Sequence, residues 1–546
     1  MRVHHLAHTY LSSPQPNINT KTLSKLTLQH QSPLPGSLLH RIPFGPLRTA
    51  KRFVEAPVET QTRLLRRLLR RAAPTEWGRR FGFAEAARAP DVAAAYQARV
   101  PLHHYDDIRA DVERVRRGTV DVMWPGRFTH FAVSSGTTST GKIIPVSHEM
   151  LVKNRRFSVG VGLQYLAATG NTRFLFGKHL TLPGRIEEDP AFPGTVVGEV
   201  SGLQAEYAPR FFTHLLQALP NEVAFLPHWE HKLDTIVART LELDIRLLVM
   251  APTWALVLFK LLLERYNAQR GASATTVGEV WPNMQVFVSG GVALSSYRAV
   301  LEQQIGLPHL DFLETYGASE GFFSFQTDLA DPAMLLHLDN GVFFEFVPMD
   351  EITKENPDRY TIADVEPGVR YAPFLTTCSG LWAYGLGDVV RFTQTFPHKI
   401  LVAGRTSEMI DKYGEAVFGE EARAALERAC RETDAQVRDF HVAPRLADLD
   451  HLPAHQWLVE FEKEPESLDA FATVIDGSLQ AVNRHYQIRR EARAFGPPEI
   501  VSLPQGTFYA WLKKTRKTIS GQTKVPRLSE ERQVADGVLA LAENTG

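Results

Sequence analysis

Residues 133–145 carry the densest set of side chains in this sequence that could take part in chemistry. The segment joins hydroxyls to glycines in the run Ser134, Ser135, Gly136, Thr137, Thr138, Ser139, Thr140 and Gly141. Hydroxyl and backbone N–H groups on such a loop donate hydrogen bonds to phosphate oxygens. We therefore predict that the loop, beginning at residues 134–138, wraps the β- and γ-phosphates of ATP. A solvated turn of the same composition is the alternative.

The same segment resembles a P-loop but lacks the metal ligand of one. From Gly136 the spacing is G-x-x-x-x-G-K, which ends at Lys142 and requires Ser or Thr at the next position. Ile143 stands there and has no oxygen to offer Mg²⁺. A strand over 128–133, a Ser/Thr/Gly loop and a helix entered near Ser147 form the arrangement that we predict instead.

Three further segments place glycines, rings or carboxylates after strand-like runs. Gly290 and Gly291 end an apolar run and leave space for a flat ring such as adenine. Residues 316–320 supply an aromatic ring, a tight glycine, a hydroxyl and a carboxylate, which suit adenine, the α-phosphate and Mg²⁺. Asp388 follows a glycine and can hold ribose hydroxyls. Glycine-pair turns, helix caps and Gly-Asp turns are the ordinary structural alternatives.

The C-terminal region is basic, with lysines and arginines over 513–517 followed by the loop 520–527. Such a cluster on a neutral protein is usually a solvated surface. A lysine on a glycine-containing loop beside a triphosphate has another use, since it stabilises charge on the phosphorus being transferred.

Composition narrows the possible partners. Among 546 residues, 60 Lys and Arg balance 61 Asp and Glu, so no global positive field attracts nucleic acid or an anionic membrane. The 44% hydrophobic content supports a large core. The two cysteines, Cys378 and Cys430, suit a reducing cytosol. The apolar stretch 247–263 is interrupted by Pro252, so we predict a buried strand and a core helix capped by Thr253.

The N-terminal region divides into two parts by composition. The first 54 residues contain no Asp or Glu and are rich in Ser, Thr and Pro, which is typical of a disordered extension rather than a folded unit. Residues 61–71 place leucines on one side of a helix and arginines on the other. We predict that the leucines dock this helix on the core and that the arginines face water; a membrane-surface helix is the alternative.

Taken in chain order, these motifs resemble the adenylate-forming superfamily of acyl-CoA synthetases, adenylation domains and luciferases. More closely, the chain is similar to the auxin-responsive Gretchen Hagen type of acyl-acid amido synthetase, from roughly residue 50 to residue 530. We expect a bacterial member. The segments that carry the closer match are 134–145, 341–348, 404–410, 483–486, 506–508 and 521–527.

The resemblance implies an α/β fold, with a large N-terminal domain of β-barrel plus α/β layers and a small C-terminal α+β lid domain. We expect residues 1–45 to be a disordered or spurious extension, 46–403 to form the large ATP- and acyl-binding domain, and 404–546 to form the lid. The hinge is expected near Gly404 and Arg405, because a small residue there can absorb backbone rotation.

By position, the resemblance also implies a role for each motif residue. Gly290, Gly291 and Tyr316 are assigned to adenine, Ser319 to the α-phosphate, Glu320 to Mg²⁺ and Asp388 to the ribose. Gly317 is a further nucleotide-binding residue, and the catalytic residues are Glu320, Arg405 of the hinge and Lys524 of the lid. The sequence departs from the pattern at 384–386, Tyr-Gly-Leu, where plant-like versions carry an arginine before the Gly-Asp pair. The residues that line the acyl pocket of the family have no counterpart that can be aligned here.

The implied activity is that of a ligase. It uses ATP and Mg²⁺ to adenylate a small carboxylic acid and then transfers the acyl group to the amine of an amino acid. An acyl-CoA ligase on the same scaffold is the main alternative. A non-catalytic ATP-binding scaffold is disfavoured, because Glu320, Asp388 and Lys524 are all present. We expect a cytoplasmic monomer with no nucleic-acid partner and no stable membrane association.

Overall fold

The computed structural model describes most of the chain. The described residues are 53–134, 142–209, 211–226, 229–291, 294–352, 354–406, 408–410, 412–413, 415, 417–445, 452–492, 494–515 and 524–543. The expected extension over 1–45 and the loop residues Ser135, Gly136, Thr137 and Thr138 lie outside them.

Helices occur along the whole described chain and are numbered here in order. They are α1 Pro57–Ala72, α2 Glu76–Arg80, α3 Phe83–Ala86, α4 Val92–Gln97, α5 Tyr105–Arg116, α6 His148–Thr169, α7 Val200–Glu206, α8 Asn221–Ala224, α9 Trp229–Thr240, α10 Pro252–Arg270, α11 Val277–Val280, α12 Arg298–Ile305, α13 Gly419–Glu432, α14 Leu468–Val482, α15 Arg484–Glu491, α16 Thr507–Thr515 and α17 Gln533–Ala542. Short 3₁₀ turns occur at Arg173–Phe176, Leu294–Ser296 and Met349–Glu351, and one π-helical turn occurs at Phe212–Leu216.

The strands are numbered in the same way. They are β1 His130–Ser134, β2 Lys142–Val146, β3 Lys178–Thr181, β4 Ile186–Glu188, β5 Val196–Gly198, β6 Ile245–Met250, β7 Val286–Gly290, β8 Asp311–Ala318, β9 Gly321–Gln326, β10 Met334–Leu336, β11 Val342–Pro348, β12 Arg370–Thr377, β13 Tyr384–Gly385, β14 Asp388–Thr395, β15 His398–Arg405, β16 Met409–Ile410, β17 Val417–Phe418, β18 Gln436–Arg445, β19 Ala454–Lys463 and β20 Glu499–Leu503.

One large mixed sheet dominates the N-terminal part. Its eleven strands follow the order β11-β12-β14-β15-β10-β9-β8-β7-β6-β3, with β13 against β12. Strands β3, β6, β7 and β8 are parallel, whereas the pairs from β8 to β11 are antiparallel. A second sheet has the order β2-β1-β5-β4. The α/β layers are as expected, but the described strands form open sheets and none of them closes into the expected β-barrel.

The C-terminal part has its own sheet, β18-β19-β20, with helices on both faces. Alternate side chains of β19 point to opposite faces of this sheet, and each face packs against its own pair of helices. Trp457 and Val459 pack with α13 and α14, whereas Leu458 packs with α16 and α17. This is the small α+β unit that the resemblance implies.

The helix predicted over 61–71 lies within α1 and is confirmed. Leu64, Leu65, Leu68 and Leu69 are all buried in the N-terminal core, as the spacing of an amphipathic helix predicts. Among the described residues, no helix has the length and apolar character needed to cross a membrane.

Two local predictions need correction. The strand and helix predicted over 247–263 are β6 and α10, but the helix is capped at Ala251, with Pro252 in its first turn, and not at Thr253. In the phosphate-loop region a second strand precedes the helix, because residues 142–146 form β2, which pairs with β1. Strand β2 lies at a sheet edge, where Pro145 is tolerated. Ser147 then caps α6.

Candidate active site

A cavity of about 1630 Å³ lies at the carboxyl ends of β7 and β8 and extends to β14, β15 and the segment that begins at residue 524. In mixed and parallel sheets this edge is the usual place for a ligand. The predicted residues that the structure describes all line it: Ser134, Gly290, Gly291, Tyr316, Gly317, Ser319, Glu320, Asp388, Arg405 and Lys524.

The residues predicted for adenine and ribose touch one another. The Tyr316 hydroxyl donates a hydrogen bond of 2.6 Å to Asp388 Oδ2. Burial, with the Asp388 charge beside it, raises the pKa of Tyr316 well above its usual value. The tyrosine therefore remains a neutral donor that fixes the orientation of the carboxylate.

Arg405 belongs to the same group of side chains. Asp388 begins β14 and Arg405 ends β15, and the two are paired directly across the ladder. Arg405 Nε lies 3.8 Å from Asp388 Oδ1. Gly404 and Arg405, where the hinge is expected, both lie in strand β15, and Gly404 has the positive φ of 134° that favours glycine.

Glu320 is buried, with 5% of its surface exposed. It lies in the tight turn between β8 and β9, so it does not cap a helix. Burial raises the pKa of Glu320 to about 7; the Asp388 charge adds to the increase and Lys142 opposes it. A carboxylate held in this state gains much from a nearby cation.

Sequence reasoning gave no role to two side chains beside Glu320. Lys142 begins β2, opposite Ser134 in the ladder, which brings its charge to the glutamate. Tyr384 is fully buried, and burial together with the Glu320 charge raises its pKa. The P-loop spacing marked Lys142, but no local pattern indicated the contact of Tyr384 with Glu320, because the contact joins residues far apart in sequence.

Lys524, from the C-terminal part, lies against Gly291 of the glycine pair. Gly291 has φ of +87°, and a Cβ there would lie 3.9 Å from Lys524 Nζ. Lys524 Nζ donates a hydrogen bond to the Gly291 carbonyl oxygen. Burial, and then the charge of Arg405, lowers the pKa of Lys524 to about 8. The lysine therefore reaches the same cavity edge as the predicted nucleotide groups.

Among the described residues, no group of three or more His, Cys, Asp or Glu side chains could hold a metal ion. Glu320 is one buried carboxylate, which fits an ion that arrives with phosphate oxygens as its other ligands. The residues therefore suit Mg²⁺ bound with ATP and do not form a metal site of their own.

Family models match most of the chain. The GH3 family N-terminal domain matches residues 47–222 and 162–309, the GH3 family central domain matches 335–405, and the GH3 family C-terminal domain matches 420–533. The chain belongs to the GH3 family. The resemblance found in the sequence is thereby confirmed.

Two similar GH3 proteins come from plants. "Indole-3-acetic acid-amido synthetase GH3.3" of Arabidopsis thaliana is 23% identical, with 88% of this chain and 91% of that protein covered. "Jasmonoyl--L-amino acid synthetase GH3.5" of Oryza sativa subsp. japonica is 25% identical, with 81% and 87% covered. The expectation of a bacterial member is not confirmed by these matches.

Solved structures share the fold of this GH3 protein. "GH3.15 acyl acid amido synthetase" has a TM-score of 0.72 at 19% identity and covers 88% of this chain and 93% of its own. "2-Hydroxyisobutyryl-CoA Ligase", in a postadenylation state, has a TM-score of 0.54 at 14% identity and covers 89% and 91%. These likenesses confirm the adenylate-forming enzyme fold.

Proposed function

We propose that this GH3 protein is an ATP-dependent acyl-acid amido synthetase, which joins a carboxylic acid to the amine of an amino acid through an acyl-adenylate. The observation that carries the proposal is the meeting, in one cavity, of Tyr316, Glu320 and Asp388 from the N-terminal sheet with Lys524 from the C-terminal part. The names of the relatives given above support the same reaction class.

In the first step, a carboxylate oxygen of the acid attacks the α-phosphorus of ATP, and pyrophosphate leaves. We assign Ser134 and its loop to the β- and γ-phosphates, Ser319 to the α-phosphate and the Gly290, Gly291 and Tyr316 surface to adenine. The Asp388 carboxylate is aimed by Tyr316 and faces the ribose. Lys524 stabilises the negative charge that develops as pyrophosphate departs.

We assign Mg²⁺ to Glu320 together with the phosphate oxygens. When bound, the ion neutralises charge on the phosphates. The Glu320 side chain is held in place for this task, because it is buried beside Tyr384.

In the second step, the amine attacks the acyl carbonyl, the amide bond forms and AMP leaves with the electron pair of the broken C–O bond. AMP is a good leaving group, whereas the oxygen of a free carboxylate is not. We propose that residues 404–546 act as the lid, and that they move between the steps so that the amine reaches the carbonyl. We further propose that the enzyme acts in the cytoplasm.

Carboxylate-dependent exchange of pyrophosphate into ATP tests the first step, and mass spectrometry of the products tests the second. With MgATP, a panel of carboxylic acids and the amino acids, we expect an amide and AMP. A thioester formed only with coenzyme A would instead identify an acyl-CoA ligase. ATP binding without exchange for any acid would indicate a non-catalytic scaffold.

A further inference from the structure

The cavity continues from the nucleotide residues along one face of the parallel strands. On β7, alternate residues Val286, Val288 and Gly290 share this face, and the ladders align Val288 with Val249 of β6 and Leu313 of β8. All of these residues line the cavity. From Gly290 back to Val286 the face changes from glycine to apolar side chains, over roughly 13 Å at the usual rise of a strand.

Helix α6 also contributes side chains to this apolar lobe. Phe157, Val161 and Tyr165 are buried in one cluster with Val286, Val288 and Leu313, and they line the same cavity. The Tyr165 hydroxyl donates a hydrogen bond of 2.7 Å to Asp311 Oδ2 and accepts one of 3.0 Å from Asn171 Nδ2. The Tyr165 hydroxyl is therefore already engaged in hydrogen bonds within the protein.

The lobe opens sideways at a rim of exposed apolar side chains. Val159 and Val249 are each 37% exposed, Leu175 is 41% exposed and Phe211 is 59% exposed, and all four line the cavity. The segment that follows Phe211 lies against β3, because Gln217 bridges to His179 and Phe212 contacts the His179 ring. Exposed apolar area of this kind is costly unless a ligand or partner covers it.

We propose that the acid substrate carries a long apolar tail, which runs along the β6, β7 and β8 face and emerges at the rim of Val159, Leu175, Phe211 and Val249. This rests on the proposed function, since the carboxylate must meet the α-phosphate near Ser319, at the other end of the same face. The cavity of about 1630 Å³ exceeds the roughly 300 to 1,000 Å³ of common ligand pockets, so it has room for nucleotide and tail together.

Straight-chain carboxylic acids from four to sixteen carbons test the tail length in the exchange assay. Each buried methylene contributes about 0.8 kcal/mol, so we expect kcat/KM to rise by about two- to fourfold per methylene. Once the tail reaches the open rim, the value should level off. Exchange that is fastest with four or six carbons, and lost with ten or more, would overturn the inference while leaving the proposed function intact.

Substitutions at the rim give a second readout. Phe211→Ser and Leu175→Ser alter exposed side chains, so the protein should fold normally. We expect each to lower the ratio of kcat/KM for the twelve-carbon acid to that for the four-carbon acid by at least about threefold. Val482→Ser, at an exposed apolar position of α14, is the matched control and should leave this ratio unchanged. An unchanged ratio in both rim variants would contradict the tail path. If neither these acids nor any other carboxylic acid of the panel supports exchange although ATP binds, the proposed function itself fails; exchange with other acids alone would overturn only the inference.

Discussion

Arg527 Nη2 donates a hydrogen bond of 2.5 Å to the hydroxyl of Tyr297. Tyr297 precedes α12 in the N-terminal part, whereas Arg527 also donates from Nη1 to the Asp439 carboxylate and the Phe440 carbonyl oxygen of β18. The arginine thus ties the C-terminal sheet to the N-terminal part, close in sequence to Lys524. The backbone N–H of Arg527 donates a hydrogen bond of 3.2 Å to Oε1 of Glu408, a residue that follows the proposed hinge in sequence.

Tyr297→Phe should therefore slow the first half-reaction. The change leaves the ring but removes the oxygen that accepts from a charged donor, a bond worth about 1.5–3 kcal/mol. We expect acyl-adenylate formation to fall by about tenfold, with little effect on aminolysis of pre-formed acyl-adenylate. Single-turnover kinetics of each half-reaction measures this. Tyr509→Phe, at an exposed tyrosine of α16, is the control; equal losses in both half-reactions would contradict the positioning role.

Tyr316 and Asp388 should act as one unit in ATP binding. Tyr316→Phe removes the donor and Asp388→Asn removes the charged acceptor of their 2.6 Å bond. We expect each change to raise the KM for ATP by about five- to tenfold, and the double variant to be little worse than Asp388→Asn alone. The KM values of the single and double variants in exchange assays give the coupling energy between the two side chains. Fully additive losses would show that the two side chains work independently.

Glu320→Gln should depress carboxylate-dependent exchange by about a hundredfold or more, because it removes the charge that faces Mg²⁺. The amide has the size of the carboxyl and relieves a buried charge, so the melting temperature of the free protein should not fall. Calorimetry checks the folding and exchange checks the activity. Near-normal exchange would give Glu320 a structural role in the turn between β8 and β9.

Much of the secondary structure follows from local sequence, but the contacts of the site do not. The leucine spacing of α1 is a short-range signal, and that prediction is confirmed. The glycine pair at 290–291 is also a short-range signal, but its adenine role stays a prediction. The approach of Tyr384 to Glu320 depends on how distant strands come together. The pairing of Asp388 with Arg405 depends on the register of the β14–β15 hairpin, which two register shifts alter. Strand β2 was missed because Pro145 argues against a strand unless its place at a sheet edge is known.

The apolar lobe could not be predicted from local sequence either. Its walls come from β6, β7, β8, α6 and the segment at Phe211, and each of them by itself has the pattern of an ordinary core element. Only the register of the strands shows that Val249, Val288 and Leu313 share a face with Gly290.

Because of Lys524, the first half-reaction should slow at alkaline pH. Its pKa is lowered to about 8 by burial and the charge of Arg405, so the free protein loses this positive charge as the pH rises through about 8. We expect kcat/KM for ATP in the exchange assay to fall over that range. Lys524→Arg keeps the charge and should remove this fall, whereas Lys524→Ala should slow adenylation far more than aminolysis. If kcat/KM of Lys524→Arg still falls over the same pH range, the titrating group is not Lys524.

The acyl-adenylate is the central claim, and oxygen transfer tests it most directly. When a carboxylic acid with both carboxyl oxygens labelled as ¹⁸O reacts with MgATP and an amino acid, the attacking oxygen stays on the α-phosphorus. Mass spectrometry should then find one ¹⁸O in AMP and one in the amide. Formation of ADP and phosphate, or of AMP without label, would contradict the account.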